Sequence, residues 1–246
     1  MSTPEGPYLL SAEPREGLLA LFVDAGAIAY KDLRIELRSR ELLLTMGYFG
    51  FLVVVIFAFA FSGGRSLPVP PLAAGIIWVA VAFAGTLGLG RAFEREREGD
   101  CFRALLLSPI SRSAIYLGKT LGVLLLMLSV EAIVLPATAF FFNLDIGLSE
   151  LSQIIGFVLL GTTGYAVLGT LLGAMLAKAR AKDVLLAVVF YPLVLPVLIV
   201  GVKATTALLD PLEPLDALGS YARLLAFFDL CFGVLAMWLF EPLVTD

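Results

Sequence analysis

Long apolar runs alternate with short polar segments along most of this chain. Six runs are long enough to cross a bilayer, because about 20 residues span the hydrocarbon core. We predict helices, since membrane strands are shorter and alternate apolar with polar residues. The predicted spans are Leu42–Phe61, Leu72–Ala92, Ala114–Phe142, Leu151–Leu176, Val184–Leu208 and Leu218–Phe240. The pattern therefore predicts an all-α integral membrane protein in which residues 42–246 form a six-span unit.

The pattern differs before the first span. Residues 1–15 contain three prolines and no periodicity, which predicts a disordered tail. Residues 16–41 predict an amphipathic helix that lies in the membrane interface, and an ordinary solvated helix is the alternative. Its apolar stripe is Gly26, Tyr30, Leu33 and Leu37, and its basic stripe is Lys31, Arg34 and Arg38.

The segment between the second and third spans, residues 93–113, predicts a coupling helix. Charged residues with i,i+3 partners of opposite sign extend the second span into water, and Gly99 can end that helix. A short helix over Cys101–Ser108 would follow, with an apolar face that includes Phe102 and Leu105. This shape suits docking into a groove on a partner, and a solvated loop held by salt bridges is the alternative.

Gly118-Lys119-Thr120 resembles the end of a phosphate-binding P-loop. That motif needs a first glycine five residues before Gly118, and Ser113 stands there instead. No strand precedes it either, and Ser111 is predicted to be the N-cap of the third span. We therefore expect no nucleotide site here and expect the Lys119 side chain to extend to lipid phosphates.

Composition supports the membrane prediction and gives an orientation. Hydrophobic residues make up 60% of the 246 residues and charged residues only 15%, against about 25% in soluble domains. All of the 17 basic residues except Arg65, Lys203 and Arg223 fall on one side of the predicted spans. The positive-inside rule places that side, with both termini, in the cytoplasm.

A few residues inside the spans stand out. Glu131 is expected either to transmit movement or to make a protonated interhelical contact. Asp229 is interpreted as its partner, as a second site of the same kind, or as a residue near the outer interface. Pro136, Pro192 and Pro196 are interpreted as fixed bends or as hinges. Gly169 and Gly173 belong to a small-residue stripe, which predicts close helix packing within the chain or with another subunit.

Several segments resemble a known family. The stretch EREREGD…RALLLSPISRSAIYLGK resembles the coupling loop of ABC-2-type transporter permeases. KDLRIELRSRE, VEAIVLP and YPLVLPVLI resemble the haem exporter protein B (CcmB) family, over roughly Asp24 to Leu243. Cys101 and Arg103 depart from that family's usual residues.

The resemblance implies a permease of the bacterial inner membrane that acts in cytochrome c biogenesis and has no ATP site of its own. ATP would bind a separate ATPase, CcmA, with CcmC and CcmD as further subunits, the haem chaperone CcmE as client and haem as cargo. A homodimer is compatible with it, and no nucleic acid is expected. The residues implied in ATPase coupling are Lys31, Arg34, Arg38, Glu94, Arg95, Glu96, Arg97, Glu98, Phe102 and Leu105.

The chain contains no histidine, the usual protein ligand of haem iron, so we expect haem to be held elsewhere in such a complex. No other bound cofactor or metal is expected. The function indicated is haem delivery to the chaperone or ATP-driven release of the loaded chaperone. A general ABC-2 exporter of lipid, polysaccharide or drug is the main alternative, and a membrane scaffold is a further one.

Overall fold

The computed structural model describes residues 17–61, 68–98, 110–176, 182–210 and 215–245. Within them the chain forms seven α-helices and one 3₁₀ turn, Leu215–Ala217. The helices are α1 (Leu18–Ser39), α2 (Glu41–Phe61), α3 (Val69–Glu98), α4 (Arg112–Phe141), α5 (Leu148–Leu176), α6 (Lys182–Leu209) and α7 (Leu218–Thr245). Helices α2 to α7 are each long and apolar enough to cross a membrane, which confirms the six predicted spans.

Helices α3 and α5 form the centre of the bundle. Helix α3 packs against α2, α4, α5 and α6, whereas α5 packs against α3, α4, α6 and α7. Helix α1 lies beside the bundle and packs mainly along α4. Helices α4 and α6 continue without interruption through Pro136 and through Pro192 and Pro196.

A hydrogen-bonded cluster joins α3, α5 and α6 inside the bundle. The Tyr165 hydroxyl donates to the Ala82 carbonyl at 2.6 Å. The Thr86 hydroxyl lies 2.8 Å from the Tyr165 hydroxyl and 2.9 Å from that of Tyr191. Because hydrocarbon offers no hydrogen bonds, these polar groups are satisfied by one another and fix three helices at one level.

Trp78 joins the same three helices at a second level of the bundle. Its indole N–H donates to the Thr205 hydroxyl at 3.0 Å, and the side chain is 2% exposed. A Cβ added to Gly161 on α5 or to Gly201 on α6 would collide with the indole ring. These two glycines therefore form the notch that holds Trp78.

We expect Gly161→Ala to lower the thermal unfolding midpoint of the protein in detergent. The new methyl would meet a ring that is enclosed on the other side, and such overpacking costs about 1–3 kcal/mol. Gly156→Ala is the matched control, because a Cβ at this position of the same helix meets no atom within 4 Å. Equal midpoints for the two variants would show that Trp78 does not fill a tight notch.

Candidate functional site

Two residues of the Gly118-Lys119-Thr120 sequence, Gly118 and Lys119, lie on the surface of α4 on which α1 docks. The sequence lies one to two turns after the start of α4 at Arg112, whose N-cap is Ser111 as predicted. A Cβ on Gly118 would come within 2.7 Å of the Ile28 Cβ and 2.9 Å of the Ala25 carbonyl oxygen. The glycine therefore allows the backbone of α1 to approach α4 closely, and this explains the motif without any nucleotide.

Lys119 forms a largely buried ion pair with α1. Its Nζ lies 2.6 Å from Oδ2 of Asp32, and Lys31 Nζ lies 3.0 Å from the other carboxylate oxygen. The expectation that Lys119 extends to lipid phosphates is wrong, because the residue is 9% exposed and its charge is neutralised by the chain itself. We call Asp32, Gly118 and Lys119 the α1 latch.

A tight elbow joins α1 directly to α2. Arg40 has a left-handed backbone with φ of 57°, and its N–H donates to the Glu36 carbonyl at 2.6 Å. The Glu36 carboxylate accepts hydrogen bonds from the backbone N–H groups of Leu42 and Leu43 at 2.8 and 3.0 Å. Glu36 thus satisfies donors at the start of α2, which otherwise have no intrahelical partner.

The two faces of α1 differ in composition and in exposure. The face packed on α4 carries Ile28 together with small and polar residues, which include Ala25, Ala29, Asp32 and Glu36. The stripe predicted to be apolar is mostly exposed, since Tyr30 is 65% and Leu37 55% exposed. Asp32 and Glu36 were missed as site residues, although their i,i+4 spacing was the available signal.

The predicted coupling residues are partly described. Lys31, Arg34 and Arg38 are exposed on α1, away from the face that packs on α4. Glu94, Arg95, Glu96, Arg97 and Glu98 belong to the last turns of α3, so the predicted helical extension of the second span is confirmed. Phe102 and Leu105, and the predicted helix that contains them, lie outside the described residues.

The two intramembrane carboxyl groups lie against different sides of α5. Glu131 is 2% exposed and accepts a short hydrogen bond from the Thr162 hydroxyl. Asp229 lies in the middle of α7, where its Oδ1 is in close contact with the position of a Gly164 Cβ. Of the alternatives for Asp229, its position in mid-helix matches a second intramembrane carboxyl group, whereas the side chain bonded to Glu131 is Thr162.

The predicted small-residue stripe on α5 packs within the chain. A Cβ on Gly169 would collide with Leu89 of α3, and Gly173 is also buried. This supports intrachain packing as the purpose of the stripe. Among the described residues, no three His, Cys, Asp or Glu side chains form a group that could hold a metal ion.

Taken together, the six spans and the docked first helix define a polytopic helical membrane protein with a peripheral helix joined to its bundle. The model of the family described as CcmB protein matches residues 24–240, so the chain belongs to the CcmB family. The chain is 30% identical over 175 residues to Heme exporter protein B of Pseudomonas aeruginosa, covering 71% of this chain and 77% of that protein. It is 29% identical over 191 residues to Heme exporter protein B of Rhodobacter capsulatus, covering 72% and 80%.

Loss of the α1 latch should expose the buried face of α1. In a chain whose own cysteines are replaced, we expect Lys119→Met to raise maleimide labelling of Ala29→Cys. Breaking a fully buried ion pair costs about 3–5 kcal/mol. Asp32 is partly exposed, so the cost here is smaller, and we expect the population in which α1 has left α4 to rise at least about tenfold. Labelling of Tyr30→Cys, at an exposed position, should not change.

The charge-exchanged pair Asp32→Lys with Lys119→Asp provides the control for the latch. It exchanges the two side chains, so an ion pair between α1 and α4 is still formed, with the positive charge now on α1. Labelling of Ala29→Cys should therefore return towards the original rate. Labelling that is unaffected by Lys119→Met would show that packing alone holds α1 on α4.

The Glu36 elbow makes a separate prediction. Glu36→Ala should lower stability by about 1 kcal/mol, the usual cost of losing an N-terminal helix cap, measured as the unfolding midpoint in detergent. Glu36→Gln keeps an oxygen acceptor and should retain most of that stability. A loss of the same size in both variants would mean that the carboxylate charge, and not the cap, is what stabilises the elbow.

Proposed function

We propose that this chain is the permease subunit of a haem-export complex that acts in cytochrome c biogenesis. The observation that best supports this is the CcmB family match, which includes most of α1 and all six spans. Haem is proposed as the cargo because both relatives are named Heme exporter protein B. In this proposal the permease has no ATP site, and ATP is hydrolysed by a separate subunit.

The proposed ATPase, CcmA, docks on the exposed basic residues of α1 and on the charged end of α3 at Glu94–Glu98. The α1 latch supports this role, because a close glycine contact and an ion pair join α1 to a spanning helix. A displacement of α1 by the ATPase would therefore be passed to α4. The basic side of the chain, with both termini, faces the cytoplasm of a bacterium whose inner membrane holds the protein.

CcmC, CcmD and the haem chaperone CcmE complete the proposed complex. Within it, the subunit either delivers haem to the chaperone or drives release of the loaded chaperone. Haem iron would be held by other subunits, since this chain has no histidine. A second copy of the chain is part of the same proposal.

Removal of the chain from its cells tests the proposal. We expect c-type cytochromes to lose covalent haem on haem-stained gels of membranes, and a plasmid copy to restore it. Haem retained on the chaperone would indicate a role in release, and haem lost from both would indicate delivery. Normal staining of both in cells without a second gene of this family would overturn the haem assignment.

Reversal of charge on α1 tests the coupling surface. We expect Arg34→Glu combined with Arg38→Glu to reduce the ATPase recovered with the purified permease by about tenfold, a loss of about 1.4 kcal/mol. Arg223→Glu, on the opposite side of the membrane, is the matched control and should leave recovery unchanged. Recovery that is equal in both variants would remove α1 from the proposed interface, whatever the cargo.

A further inference from the structure

Three stripes of residues run along α1, and each has a different chemical character. The stripe packed on α4 consists of Ala25, Ala29, Asp32 and Glu36. The apolar stripe predicted from the sequence is continued towards the start of the helix by Leu19 and Val23, and the basic stripe by Ala27. With 3.6 residues per turn, the three stripes are separated by between about 90° and 160° around the helix axis.

The apolar stripe is exposed along most of its length. Leu19 is 84% and Val23 63% exposed, and Tyr30 and Leu37 are exposed to a similar extent. These residues recur at i, i+4, i+11 and i+18, so they form one continuous surface and are not scattered singly. An exposed apolar surface of this kind indicates a contact with a membrane or with a partner.

The boundary of the hydrocarbon core can be located on α2 and α4, which cross the membrane in the same direction. A Cβ on Gly50, near the middle of α2, would meet Val130 and Val134 of α4, so these residues lie at one level. Glu41 lies nine residues before Gly50, and Gly122 lies eight to twelve residues before the two valines. Both are therefore ~15 Å from that level, which is half the thickness of the hydrocarbon core.

Helix α1 lies almost flat at this boundary. A Cβ on Gly122 would be 3.7 Å from the Asp32 Cβ, so Asp32 has nearly the same depth as Glu41, although nine residues separate them. Gly118, which contacts Ala25, is only four residues or ~6 Å further from the membrane centre along α4. From Ala25 to Glu41 the depth thus changes by ~6 Å over ~24 Å of chain. This places α1 in the interface and not across the membrane.

Lipid fits the apolar stripe at this depth. The exposed surface of the spanning helix α2 begins with Leu44 and Tyr48, one to two turns beyond the elbow, and such a surface meets lipid. The apolar stripe continues this surface along the membrane plane with residues of the same character. The basic stripe is ~90° further around α1, as in helices that rest on anionic membranes with their charged side towards phosphates and water.

We propose that the apolar stripe of α1 is a lipid-binding surface, inserted between headgroups and acyl chains on the membrane face where α2 begins. Helix α4 covers one side of α1 and lipid covers a second, which leaves the basic stripe as the side open to a soluble partner. Neither haem nor the ATPase is needed for this contact, so it stands or falls separately from the proposed function.

The first test measures depth in bilayers that contain the full chain and no other protein. In a chain whose own cysteines are replaced, spin labels are attached at Tyr30→Cys or, as the control, at Ala27→Cys, which is exposed on the basic stripe. Their accessibility to oxygen and to a water-soluble nickel complex gives the depth of each label. We expect the label at Tyr30 about 5–10 Å below the lipid phosphates and the label at Ala27 at or above their level.

Two results would overturn the proposal. Labels at equal depth, or a label at Tyr30 that lies in water, would show that lipid does not cover the apolar stripe. A label at Tyr30 that is shielded from both reagents would show that a second copy of the chain covers it.

The second test uses membranes of the chain's own cells, where its partners are present. The photo-crosslinker p-benzoylphenylalanine replaces Tyr30, whose aromatic ring it resembles, or Arg38 of the basic stripe as the control. We expect phospholipid adducts at Tyr30 in clear excess over those at Arg38. Adducts at Tyr30 that contain only protein would assign the stripe to a partner and overturn the proposal.

Discussion

The structure depends on one constraint, which is that a chain inside hydrocarbon must satisfy its own polar groups. The backbone meets this constraint by forming helices. The side chains meet it by pairing between helices: Trp78 with Thr205, Tyr165 with Thr86, and Glu131 with Thr162. The first two pairs join helices that are not consecutive in the chain, so these bonds specify which helices become neighbours.

The same constraint explains how α1 is attached. A peripheral helix with only apolar contacts could slide along α4, because apolar side chains give little positional specificity. The ion pair between Asp32 and Lys119 fixes its position, and Gly118 fixes its distance. The Glu36 carboxylate then fixes the direction in which α2 leaves. Three short-range interactions therefore set the placement of a helix whose other face remains available to lipid and partners.

The six spans could be predicted from the sequence, because a span requires a certain length and hydropathy and both can be measured along the sequence. The pairings were harder to predict, as Lys119 shows. A lysine one or two turns inside a span normally reaches the interface, and only the three-dimensional neighbour, Asp32, makes burial favourable. Periodicity identified an apolar stripe on α1 but did not show that the opposite face, which carries mostly small and polar residues, docks on α4. The sequence left the depth of Asp229 open for a similar reason, because only its neighbour Gly164, which has no side chain, leaves room for this carboxyl group in mid-bilayer.

Helix α4 links the docked first helix to a buried carboxyl group inside the bundle. Lys119, which holds α1, and Glu131 are twelve residues apart on one uninterrupted helix, ~18 Å along its axis. An α-helix that packs on five neighbouring helices resists bending, because its hydrogen bonds and its close-packed side chains oppose deformation, so it transmits an axial displacement over that distance. A change in the position of α1 would therefore reach the Glu131–Thr162 contact without any need for a separate chain of side chains.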